Sequence, residues 1–113
     1  MENKKILVAD DEINIVHVIA AKLRNNGFEV ITADNVKDAY KLCCEQKPDA
    51  IVIDYELAEQ LNAKTELSGI PTIILTTKKI KPRLNFTERL NKPFSPKELL
   101  ASVENMLTSL AAK

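Results

Sequence analysis

The sequence predicts an α/β fold, a doubly wound five-stranded parallel sheet with helices on both faces. Short β-branched, apolar runs alternate with stretches of helical apolar spacing along the whole chain, the pattern that right-handed crossovers produce. The third apolar run, Asp49 to Asp54 (DAIVID), has a continuous apolar centre, which suits a strand covered on both faces. Length and composition agree: 113 residues make one domain, and 45% hydrophobic with 28% charged residues is ordinary for a folded chain and wrong for a disordered one.

Lys5 to Ala9 (KILVA) reads as the first strand. Asp11 to Asn26 then has helical spacing, with Ile13, Val16, Ala20 and Leu23 inward, Ile15 and Ile19 widening the face, and Gly27 as the stop. Phe28 to Ala33 (FEVITA) is the second strand. Asn35 can cap a helix running to about Gln46, with Val36, Ala39, Tyr40 and Cys43 inward and Pro48 ending it. After the third strand, Leu57 to Leu67 reads as a short helix closed by Gly69 and Pro71. Thr72 to Thr76 (TIILT) is the fourth strand, Lys78 to Asn85 has no clear period, and Phe86 to Leu90 is a weak fifth strand. Ser95-Pro96-Lys97-Glu98 starts the last helix, with Ser as N-cap, Pro at the first helical position and Glu three residues after the cap. That helix runs to about Leu110.

No repeat, linker or low-complexity stretch interrupts this order, so we expect a single domain over residues 1–113 with no attached output domain. Sixteen basic residues balance sixteen acidic ones. Direct nucleic-acid binding is not expected, because phosphate neutralisation needs a clustered cationic excess. No apolar run is long enough to span a bilayer and no leader opens the chain, so no membrane contact is expected and the cytoplasm is the expected compartment. Cys43 and Cys44 are adjacent and, with one distant His, make neither a disulfide framework nor a zinc site; at least one should be a small buried helix residue. His17 falls on the polar face of the first helix.

In open parallel sheets, ligands bind beyond the carboxyl ends of the strands. Asp10 and Asp11 follow the first strand, Asp54 ends the third, Thr76 ends the fourth, and Lys92 follows the fifth and precedes Pro93. Carboxylates converging on one edge repel, which raises a carboxyl pKa or recruits a cation. Few carboxylates with open water positions suit Mg²⁺. With a lysine, a hydroxyl and a carboxylate nucleophile alongside, the set suits a phosphoryl group. Each residue alone has a plainer reading. Asp10 and Asp11, or Asp54, could cap the helix that follows, and Lys92 alone could be a surface lysine.

The motifs ILVADDE after the first strand, IVID at the third, IILTT at the fourth and NKPF after the fifth resemble those of the receiver domains of two-component response regulators, over the whole chain. The resemblance implies a flavodoxin-like sheet of strand order 2-1-3-4-5. It implies that Asp54 accepts a phosphoryl group from a sensor histidine kinase or phosphotransfer protein. Asp10, Asp11 and Asp54 with the backbone carbonyl of Glu56 would then hold Mg²⁺, Asp10 mostly through water. Thr76 would hydrogen-bond a phosphoryl oxygen and Lys92 would pair with another, next to a cis bond to Pro93. Such a chain is a phosphoacceptor, with at most self-phosphorylation and self-dephosphorylation, that acts on a downstream protein target; pairing into a homodimer is compatible with it.

Several features depart from the family pattern. The spans from Asp54 to Thr76 and from Thr76 to Lys92 are short and Pro82 opposes a helix interior, so the helix between the fourth and fifth strands should be reduced to a turn or absent. The loop after Asp54 lacks the usual Pro- and Gly-rich turn and reads Tyr55-Glu56-Leu57-Ala58. Arg89 stands where the family commonly has an aromatic rotamer switch. These departures favour an alternative, a docking module that no longer uses phosphorylation. An aspartyl phosphatase is disfavoured because its Asp-x-Asp after the first strand is missing. Dinucleotide binding is excluded by the lack of glycine in the first strand-helix turn.

Overall fold

The computed structural model describes residues 4–64, 69–77 and 86–111. Its strands are β1 (Lys5–Ala9), β2 (Glu29–Ala33), β3 (Ala50–Asp54), β4 (Thr72–Thr76) and β5 (Glu88–Asn91). All neighbouring pairs are parallel, in the order β2-β1-β3-β4-β5. The helices are α1 (Ile13–Asn25), α2 (Val36–Gln46), α3 (Tyr55–Lys64) and α4 (Pro96–Ala111).

Successive strand residues point to opposite faces, and both faces are covered. On one face Ile6, Val8, Val52, Ile73 and Leu75 pack against Val16, Ile19 and Leu23 of α1 and Leu99, Val103 and Met106 of α4. On the other, Leu7, Ala9, Ile51, Ile53 and Ile74 pack against Ala39 and Cys43 of α2 and Leu57, Ala58 and Leu61 of α3. These two cores hold β1, β3 and β4 from both sides, and so set where their carboxyl ends lie.

Local signals act as expected at several helix ends. The Asn35 side chain accepts from the Asp38 N–H at 2.8 Å, supplying one of the hydrogen bonds that a helix start lacks. Ser95 Oγ does the same for Glu98 N–H at 3.1 Å, with Pro96 opening α4. Gly27 closes α1 with φ +90°, a conformation that glycine adopts without a Cβ penalty. Lys47, the residue before Pro48, carries a left-handed φ of 46° at the end of α2. Cys43 is buried, Cys44 is exposed, and both are free thiols.

Four readings need correction. Ile13 is 46% exposed and not inward, because the buried stripe of α1 is formed by Val16, Ile19, Ala20 and Leu23 alone. Tyr40 is 38% exposed, since the buried stripe of α2 is only as wide as Ala39 and Cys43 and the phenol hydroxyl needs a polar surrounding. Helix α3 begins at Tyr55, directly after β3, two residues earlier than the spacing suggests. Strand β5 spans Glu88–Asn91 and is displaced towards Lys92 relative to the expected Phe86 to Leu90. The expected shortening of the helix between the fourth and fifth strands falls on residues 78–85, outside the described residues.

Candidate functional site

Three strand ends bring a lysine and two carboxylates together. Asp10 follows β1 and is fully buried; Asp54 closes β3; Lys92 follows β5. Lys92 Nζ donates to Asp54 Oδ1 at 2.7 Å and to Asp10 Oδ2 at 3.0 Å. Its backbone N–H donates to the Thr76 carbonyl at 3.1 Å, which ties the lysine to the end of β4. The bond from Lys92 to Pro93 is cis. Asp54, Tyr55, Glu56, Thr76, Thr77 and Lys92 line a cleft of about 60 Å³ at this edge.

Both carboxylates are held on their second oxygen as well. Asp10 Oδ1 accepts from the Glu12 N–H at 2.9 Å, and Asp54 Oδ2 accepts from the Glu56 N–H at 3.1 Å. Asp54 therefore caps α3 while it faces the lysine, so the plain capping reading and the site reading hold for the same side chain. This cap also explains the missing turn: with the strand's last residue serving as cap, α3 needs no loop before it.

Burial shifts the charges. Removal from water pushes the Asp10 carboxyl above its ordinary range; the Glu12 N–H and Lys92 act against this, and the nearby Asp54 charge adds to it. Burial works to lower the Lys92 pKa, but hydrogen bonds and charge from Asp54 and Asp10 outweigh it and hold the ammonium above its usual value. Lys92 is thus a firmly charged cation between two anions.

The structure brings Asp10, Asp54, Thr76 and Lys92 to one edge. Asp11 is exposed, and its carboxylate has no hydrogen-bond partner among the described residues. Glu56 lines the cleft, in the first turn of α3. Among the described residues no group of three or more His, Cys, Asp or Glu side chains is gathered to hold a metal ion. The two carboxylates that Lys92 brings together nevertheless offer the hard oxygen donors that Mg²⁺ takes together with several waters. Tyr55 is 5% exposed and packs in the α2–α3 core while bordering the cleft. Sequence reasoning missed Asn91, which lies opposite Thr76 in the β4–β5 register and accepts a hydrogen bond from Arg89 Nε at 2.9 Å. The alternation of an edge strand was the signal that could have paired those two side chains.

Residues 6–104 match the family model for the response regulator receiver domain. The chain belongs to that family. Receiver domains are signalling modules of two-component systems rather than classical enzymes, and phosphorylation and Mg²⁺ dependence are general properties of them. This receiver domain is 35% identical over 121 residues to the phosphate regulon transcriptional regulatory protein PhoB of Pseudomonas aeruginosa, covering 95% of this chain and 53% of PhoB. It is 29% identical over 117 residues to PilH of the same organism, covering 91% of this chain and 97% of PilH. The chain spans about half the length of the first curated relatives it matches. Among solved structures, the receiver domain of Francisella response regulator 1452 superposes with a TM-score of 0.80 at 29% identity, covering 96% of this chain and 99% of that one. Among the described residues, no helix of this receiver domain is long and apolar enough to cross a membrane.

Proposed function

We propose that this receiver domain accepts a phosphoryl group on Asp54 from a sensor histidine kinase or phosphotransfer protein, in a Mg²⁺-dependent reaction, and signals through contact with a downstream protein. The observation that carries the reading is the double hydrogen bond of Lys92 to Asp54 and Asp10 at the carboxyl edge of the sheet, beside Thr76. In the transfer, an Asp54 carboxylate oxygen attacks phosphorus in line. The P–N bond of a phosphohistidine breaks, its electron pair stays on the imidazole, and the imidazole takes up a proton from solvent. Lys92 neutralises charge that spreads over the phosphoryl oxygens, and the Thr76 hydroxyl is the neighbouring hydrogen-bonding group. The Glu56 N–H holds the second carboxylate oxygen in place, so the nucleophile is oriented before the donor arrives. Asp11, Asp54 and the Glu56 carbonyl, with Asp10 contributing mostly through water, would hold Mg²⁺, which when bound supplies charge stabilisation. Self-phosphorylation from small donors and self-dephosphorylation belong to the same reading.

A second reading is a docking module that has given up phosphorylation; the exposed Arg89, in the position of the family's aromatic switch, favours it. One assay separates the two. With acetyl phosphate and Mg²⁺, intact mass should show one added phosphoryl group that is lost in Asp54→Asn and when Mg²⁺ is removed. No adduct on the folded wild-type protein would favour the docking module.

A further inference from the structure

Strand β5 is the sheet edge, and its residues alternate between half-buried and exposed. Arg89 and Asn91 are both exposed and, two residues apart, project from the same side of the strand. The bond from Arg89 Nε to Asn91 Oδ1 leads the arginine along the strand, towards its carboxyl end. In the β4–β5 register Arg89 lies opposite Ile74 and Asn91 opposite Thr76. The guanidinium is therefore drawn towards the strand end where Thr76, Lys92 and Asp54 line the cleft.

Only Nε is engaged: the terminal guanidinium nitrogens make no hydrogen bond among the described residues. That leaves a planar fork of donors, the geometry that matches phosphate oxygens in pairs. Lys92, which lines the cleft, is already committed: its ammonium donates to both Asp10 and Asp54. A further cation near the same strand ends adds attraction for an incoming phosphoanion.

Resting on the receiver reading above, we propose that Arg89 is a phosphoanion-recognition residue: held by Asn91 at the rim, it draws in the anionic donor and pairs with an oxygen of the phosphoryl group at Asp54. The arginine then performs a chemical role where an aromatic side chain would report conformation. It acts on binding of the donor more than on the transfer step, because it lies beyond the groups that hold the nucleophile.

The test compares wild type, Arg89→Ala, Arg89→Lys and Asn91→Ala in Mg²⁺ buffer, with initial rates of phosphorylation measured against acetyl phosphate concentration. In Arg89→Ala the half-saturating concentration should rise about five- to tenfold with the saturated rate changed less than about twofold, and the deficit should shrink as salt is raised. Arg89→Lys should recover part of the loss, and thermal melts should be unchanged. An independent readout is the Arg89 Nε–H NMR signal during titration with inorganic phosphate, which should shift in a saturable manner. An Arg89→Ala protein with wild-type half-saturation and salt dependence, or a loss that Arg89→Lys shares in full, would overturn the proposal. So would an Nε–H signal that ignores phosphate. A wild-type protein that takes no phosphoryl group at all would instead defeat the receiver reading, and the phosphate titration would still decide the role of Arg89.

Discussion

Strands β3 and β5 both deliver a side chain to the cleft, and they do so from opposite surroundings. Residues 50–53 of β3 are fully buried, covered by helices on both faces, with Asp54 at the rim of that core. Strand β5 has one neighbour, β4, and no fully buried residue. A slip of one residue in β3 would turn Ile51 and Ile53 into the wrong core and move Asp54 away from Lys92, so its register is pinned. The edge strand is pinned less by packing and more by individual polar bonds: Arg89 to Asn91, and Ser102 Oγ donating to Glu88 Oε2 at 3.0 Å. Core packing thus places Asp54, the proposed nucleophile, whereas individual polar bonds help to place the strand that carries Arg89 and leads to Lys92.

The comparison can be broken by truncation. Ile53→Ala removes a fully buried side chain from the α2–α3 core and should cost about 2–5 kcal/mol in denaturant unfolding. Leu90→Ala, on half-buried β5, should cost clearly less, about 1–2 kcal/mol, since its site is already partly solvated. Equal costs, or the reverse order, would show that β5 is anchored as firmly as β3.

A smaller effect concerns Asp10, the buried carboxylate at the end of β1. Its folded pKa lies above the ordinary value of 3.8, so the folded protein binds that proton more tightly than the unfolded chain does. Stability contributed by this group therefore falls as pH rises from the ordinary carboxylate range through the folded value. Asp10→Asn removes that slope. The variant should be more stable than wild type at pH 7, with the gap closing as pH falls towards 4, read from urea midpoints across pH. A variant less stable than wild type at pH 7 would mean that the Lys92 ion pair outweighs the burial cost. The smallest effect is chemical. Burial pushes the Cys43 thiol to about 11, so iodoacetamide at pH 8 should label Cys44 first in the native protein and both cysteines after denaturation.

Much of the fold was legible because its signals are local. Asn35 and Ser95 announced their helices, and the continuous apolar run before Asp54 announced a doubly covered strand. Asp54, Thr76 and Lys92 were legible because strand ends of a parallel sheet share one edge. What was not legible depends on contacts across the chain. The start of α3 at Tyr55 follows from Asp54 capping it; the cap was a legible alternative, but the helical apolar spacing begins only at Leu57 and so marked a later start. Ile13 and Tyr40 have inward spacing but fall outside the narrow buried stripes of α1 and α2. The partnership of Arg89 with Asn91, and of Asn91 with Thr76, requires the β4–β5 register, which the weak period of β5 did not supply.

The central claim is that Asp54 is the nucleophile for phosphoryl transfer. The most direct test treats the protein with acetyl phosphate and Mg²⁺, reduces it with borohydride, and maps the peptides by mass. An aspartyl phosphate is reduced to homoserine, so homoserine should replace aspartate at position 54 and nowhere else. Homoserine at another position, or an unreduced Asp54 in protein that carries a phosphoryl group, would contradict the account.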